Sequence, residues 1–238
     1  MLDLDGTEEY SNMGALYGLE GPEGEDLLGA LNKMNPLKRQ KAINTLTSQP
    51  APSKGSRAEM EKHFGELPPH IKAGLKNGEL RLADTVIYSI KKVAGKTIKL
   101  FETQDTKQIS ISSVSGAKLP KNQALVVSGI TILVGVSADL TPEKIMATNF
   151  DKIESFPSIA NGEFNLKSNK KIILPESGMF MFKTAANGNV PAGYYKLANP
   201  RLIHDDVLIE ATIELGSMEG ITANTHIYLG LHGTITTP

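Results

Sequence analysis

The chain has 238 residues, with 25 Lys+Arg against 26 Asp+Glu, no cysteine, no tryptophan, and six Tyr and seven Phe as its aromatics. The missing cysteines exclude a disulfide scaffold, a thiolate nucleophile, a cysteine zinc site and an iron–sulfur cluster. Near-zero net charge argues against a surface that coats nucleic acid as a whole, and 40% hydrophobic residues suffice for a packed core.

The charge is unevenly placed. Residues 1–30 hold eight acids and no base, residues 31–62 carry a net +5, and residues 63–238 are close to neutral. The chain opens on acids, not on a basic patch followed by an apolar run, so no signal peptide is expected. Within the acidic block, Asp3-Leu4-Asp5-Gly6-Thr7 spells the DxDGT nucleophile motif of haloacid-dehalogenase-like phosphatases. That chemistry needs the motif at the end of a buried parallel strand. Only Met1 and Leu2 precede it and no doubly wound pattern follows, so it reads as an acidic terminal stretch.

Short helical signals come next. Leu27, Leu28, Leu31 and Met34 make a stripe at helical spacing, and Asn35-Pro36 supplies an N-cap and first-turn pair for a helix over 37–46. Ser56-Arg57-Ala58-Glu59 matches a capping box that opens a helix which Gly65 ends. Pro68-Pro69 restarts a helix towards Lys76, with Asn77-Gly78 as its stop. Each is too short to be stable alone and needs a surface, of the body or of a neighbouring subunit. The sequence divides at residue 80, into an N-terminal arm (1–79) and a β body (80–238).

From Leu80 onward the period changes to two. Strands are expected at 85–93, 97–102, 108–114, 124–137, 164–167, 171–174, 179–184, 194–197, 207–215 and 225–235. In the last, Ile227, Leu229, Leu231 and Ile235 face inward, and His226, Tyr228, His232, Thr234 and Thr236 outward. The apolar run 124–140 is short for a bilayer span and is broken by Ser128, Gly129, Gly135, Ser137 and Asp139; it reads as a buried strand pair. Ala94-Gly95, Ser115-Gly116, Asn161-Gly162, Asn187-Gly188 and Glu219-Gly220 supply turns, and Thr141-Pro142 opens one short helix. Many strands, little helix and no βαβ alternation predict an all-β fold, a single antiparallel jelly-roll-like β-sandwich with a partly helical N-terminal arm.

No pattern carries a specific chemistry. Gly95-Lys96-Thr97 resembles the end of a phosphate-binding P-loop, yet Ile90 stands where its first glycine belongs and no helix follows. His226 and His232 lie about 20 Å apart along one strand and cannot share a metal. His204-Asp205-Asp206 joins an acid/base or metal site only if another element brings a partner; otherwise it is a solvated loop. Met179-Phe180-Met181-Phe182 reads as core packing rather than a ligand-facing patch. No catalytic residue, metal site, cofactor or small-molecule substrate is therefore assigned, and the chain is not expected to be an enzyme. The basic stretch 33–57 has six bases and no acid. Lys33, Lys38, Arg39, Lys41, Lys54 and Arg57 are its candidate contacts to nucleic acid, lipid headgroups or neighbouring subunits. The bland alternative is that they meet acids of this or a neighbouring chain.

Charged arm followed by β-sandwich is an order that resembles virus capsid proteins. The stretch 82–90, then Ile98-Lys99-Leu100-Phe101-Glu102, then Leu119-Pro120-Lys121-Asn122-Gln123-Ala124-Leu125, resembles jelly-roll capsid proteins of small tailless icosahedral bacteriophages in style over about residues 80–238. The resemblance implies a virion protein assembled in the host cytoplasm. Its subunits would build an icosahedral shell with like subunits, and the arm would meet genome, internal membrane or neighbours. Deleting residues 1–62 is then expected to leave a soluble β-domain that fails to assemble. The alternative is a tail-spike, adhesin or lectin-like sandwich that binds ligand through loops at one end.

Overall fold

A computed structural model describes residues 56–186 and 190–238; of Ser56, Arg57 and Ala58 it describes the backbone alone. The stripe at 27–34, the helix at 37–46 and the Asn187-Gly188 turn lie outside the described residues. All described residues belong to one compact unit, Ser53–Pro238.

Two antiparallel four-stranded sheets face each other. In chain order the strands are β1 (Arg81–Lys92), β2 (Thr97–Lys99), β3 (Leu125–Val136), β4 (Glu163–Ser168), β5 (Lys171–Gly178), β6 (Tyr194–Ile203), β7 (Ile209–Glu214) and β8 (Thr225–Thr237). One sheet runs β1-β8-β3-β6 and the other β2-β7-β4-β5. Helices α1 (Ser56–Lys62) and α2 (Pro69–Asn77) precede the strands, and α3 (Pro142–Met146) and α4 (Pro157–Ala160) lie between β3 and β4.

Alternation sets which side chains meet between the sheets. Ile227, Leu229, Leu231 and Ile235 of β8 join Leu125, Val127, Ile130, Ile132 and Val134 of β3 there. Phe164 and Leu166 of β4 and Ile209, Ala211 and Ile213 of β7 come from the opposite sheet. Phe164 meets Phe182 edge to face, with centroids 5.6 Å apart. In β3 the inward set changes parity, Val127 then Ile130, because the register shifts between Val127 and Gly129. The bulge keeps apolar residues inward on both sides of Ser128.

The outer face of the β8 sheet is covered as well. Met60 of α1, Leu67, Ile71 of α2 and Leu80 form a second cluster with Ala124 and Val126. Met60 and Ile71 are fully buried. The helices of residues 56–79 thus use the body itself as their surface. Gly78 ends α2 in the left-handed conformation (φ 76°), its N–H reaching the Gly74 and Leu75 carbonyls, as Asn77-Gly78 implied. At the other end of the face, Asp151 exchanges two 2.9 Å hydrogen bonds with Val134, and Phe150 lies against Tyr228. This double cover explains why the outward residues His226, Thr234 and Thr236 are also buried.

Several expectations are corrected. Within the run 124–140, Leu125–Val136 form one long strand, β3, and not a strand pair. Residues 108–114 form no strand: Gln108 and Ser112 exchange two 2.9 Å hydrogen bonds around Ser110 at φ 65°, so the Ile109/Ile111 alternation belongs to a tight loop. Residues 179–182 form a 3-10 turn, because Met179 and Phe182, three apart, enter the core together. The strand at 97–102 stops at Lys99, since Leu100 and Phe101 both turn into the core. Thr141 does not cap α3 with its side chain; its N–H and hydroxyl both donate to Asp139. The expected mostly-β architecture with few helices is observed.

Candidate functional site

A groove of about 1040 Å3 lies along β1. Residues Ala83–Tyr88 of β1 form one wall, and the connection between β2 and β3 forms the other through Lys107, Ile109, Ser112–Ser115 and Lys118–Lys121. Asp205 and Asp206 close one end.

That connection is long and irregular, so side chains must hold it. Ser89, buried in β1, donates its hydroxyl to the Leu100 carbonyl at 2.5 Å. Lys91 reaches Glu102 at 2.8 Å and also binds Asp105. Burial alone pulls the Lys91 ammonium down, but its bonds to Asp105 and Glu102 outweigh that and hold it above its usual value. Further along, Ser113 accepts the Tyr88 N–H through its hydroxyl at 2.8 Å and donates its own N–H to the Tyr88 carbonyl at 3.0 Å. These bonds stitch the loop to one half of the β1 edge.

Asp205 takes two donors at the closed end. The His70 ring Nε2 lies 2.9 Å from Oδ2, and the Asn122 N–H donates to the same oxygen at 3.0 Å. Burial pushes this carboxyl up; the Asn122 amide and His70 outweigh it and hold the group below its ordinary value. Asp206 pairs with Lys118 at 3.1 Å, and the buried His204 Nδ1 has no hydrogen-bond partner among the described residues. The 204–206 stretch therefore does gain a partner, from α2. The His70–Asp205 contact ties α2 to the stretch ahead of β7.

On the outer face, His232 and Thr131 meet at 2.8 Å (Nε2 to Oγ1), and the Tyr194 ring stands edge-on to His232 at 5.2 Å. His226 bonds through Nδ1 to the Asn224 carbonyl at 2.8 Å. Burial lowers both imidazoles from their usual value, and for His226 the nearby Lys92 adds to the effect. No metal-ligating cluster occurs among the described residues. Gly95-Lys96-Thr97 is a strand–turn–strand connection between β1 and β2, as its flanks implied. Phe182 and Met179 are core, while Phe180 is 58% exposed with Lys183 over its ring at 4.6 Å.

The DxDGT stretch and Lys33, Lys38, Arg39, Lys41 and Lys54 lie outside the described residues. Arg57 falls in the first turn of α1, of which only the backbone is described there. Sequence reasoning missed His70 and the β1 groove. His70 carries no local signal, since its partner is 135 residues away. The groove exists only once β1 is an edge strand. No protein-family model matches the chain, and no curated protein matches it either.

Proposed function

We propose that the chain is a capsid subunit: a virion structural protein of a bacteriophage that self-assembles into an icosahedral shell through a jelly-roll sandwich and its N-terminal arm. The observation that carries this reading is the strand wiring. β1 pairs with β8, β2 with β7, β3 with β6 and β4 with β5, all antiparallel, and the contacts β8–β3 and β7–β4 complete the two sheets. A long antiparallel ribbon folded in half and rolled up would produce this order, which supports reading the sandwich as an eight-stranded jelly roll. Shell proteins use such a block because it is rigid and its edges and loops are free for lateral contacts.

The segregated charge supports the same reading. The body is close to neutral, and the charge that could attract genome, lipid headgroups or neighbours sits in residues 1–62. The test is truncation, and the packing of Met60 says where to cut. Removing residues 1–62 would strip a fully buried side chain from the body, so the informative variant begins at Ser56. Residues 56–238 should fold as a soluble β-domain, with the melting transition of the full chain, and fail to form normal particles under negative stain. Normal particles from the truncated chain would contradict the role given to the arm.

A further inference from the structure

Ile109 is the most exposed large apolar side chain among the described residues, 82% open to solvent. The loop that carries it is braced. Gln108 and Ser112 exchange two 2.9 Å backbone hydrogen bonds across it, and Ser110 closes it at φ 65°. The loop is also bound to β1. Ile90 donates its N–H to the Ile111 carbonyl at 2.8 Å, and the Ser110 N–H donates to the Tyr88 hydroxyl at 3.1 Å. The Ile109 backbone is thus held in one place, and little of its conformational freedom remains to be lost on docking. Ile109 lines the groove along β1, together with Ala83, Val86 and Pro120. That lining is electrically balanced: it holds Lys107, Lys118 and Lys121, and Asp84, Asp205 and Asp206. Neither a strongly acidic nor a strongly basic partner is selected by it. Balance is what a surface needs to meet a copy of itself, because a single sign would repel its own kind.

We infer that this groove is a twofold contact between two copies of the chain, in which Ile109 of each copy enters the groove of the other. The inference rests on the assembly reading above and names one of its contacts. A protruding side chain and a receiving groove on one surface meet the requirement of an isologous pair, in which residue i touches j and j touches i. An apolar anchor on a rigid loop is the kind of residue that dominates such a contact. The charges fit the same arrangement. Lys107 and Lys121 are exposed and have no acidic partner among the described residues. Asp206, in the same lining, is exposed and binds Lys118 through Oδ1, which leaves its other oxygen for a lysine of the second copy.

Sedimentation velocity on the full chain over a concentration series is the test. Ile109→Asp should raise the concentration of half-association at least about tenfold. Its melting transition should stay in place, because the side chain it replaces is exposed. Ile172→Asp is the control. It removes another exposed apolar side chain, on β5 and outside the groove lining, and should leave association unchanged. Mixing isotope-labelled and unlabelled chains before zero-length carbodiimide coupling should yield mixed-isotope crosslinks from Lys107 or Lys121 of one copy to Asp206 of the other. Association that Ile109→Asp leaves unchanged would overturn the inference and leave the capsid reading standing. Equal weakening by both variants would also overturn it, since any exposed apolar residue would then serve. Weakening by Ile109→Asp without those crosslinks would overturn the groove as the receiving surface. Association that stops at a dimer and is lost in Ile109→Asp would support the contact and contradict the closed shell. Monomers at every concentration would overturn both readings. Were Ile109→Asp to lower the melting transition, Ile109→Ser, which adds no charge, decides by the same comparison.

Discussion

Gly233 sits in the middle of β8 opposite the β3 bulge. A Cβ there would stand 2.8 Å from the Val126 carbonyl carbon, and closer still to its oxygen. Backbone cannot swing aside as a side-chain tip can, so Gly233→Ala must separate two central strands. It should cost on the order of 3 kcal/mol in chemical denaturation, with assembly lost in proportion. A second consequence of close packing concerns pH. His226 is buried and His232 half-buried on the outer face, and both are held below their ordinary pKa. A histidine whose folded pKa lies below its unfolded value contributes stability above the unfolded pKa. That stability is lost as pH falls through about 6.5 towards the depressed folded value. The melting temperature should therefore drop between pH 7 and pH 5, and His232→Gln should flatten the drop. A drop unchanged in that variant would remove His232 from the account. The sequence did place both imidazoles on the outward face of the last strand. It did not announce that the face is covered, because the covering residues, Met60, Ile71 and Phe150, lie far away in the chain.

At the scale of elements, strands with a clean period of two were legible. β7 with Ile209, Ala211 and Ile213 inward, and β8 with four apolar residues inward, were read to within two residues of their ends. Failures came where alternation served another purpose. Ile109 and Ile111 alternate in a loop whose tip leaves Ile109 82% exposed, and Met179 and Phe182 use a three-residue repeat to reach one core. β5 runs to Gly178 through Pro175 because it is an edge strand, where a missing N–H breaks no ladder on its outer side. The bounds of α2 were legible in Pro68-Pro69 and Asn77-Gly78, whereas α1 ends at Lys62 and not at Gly65, and the attachment of neither helix was legible. α1 packs on β1, β3 and β8, and its anchor is Met60. Met60→Ala should destabilise the chain by about 2–5 kcal/mol in denaturant and raise exchange first in residues 56–79. Uniform loss across the sandwich would show instead that the helices and sheets form one cooperative unit.

For the whole molecule, the near-zero net charge conceals two different regions. The described body is a two-sheet block with cores on both sides of the β8 sheet, held by apolar packing and a few local ion pairs such as Lys91 with Glu102 and Asp105. Of the charged candidates, Lys33, Lys38, Arg39, Lys41 and Lys54 precede the described residues in the sequence, and Arg57 lies in α1. Fold class was readable because strand periodicity is local. The order of strands in the sheets was not, since it depends on pairings such as Arg81 with Thr237 that only the folded chain makes. The groove beside β1 follows from that order and was equally hidden. The central claim is that this block builds a closed shell from copies of itself. Negative-stain microscopy of the purified full-length chain tests it most directly. The account predicts closed particles of uniform diameter, and a population confined to monomers or trimers at every concentration would contradict it.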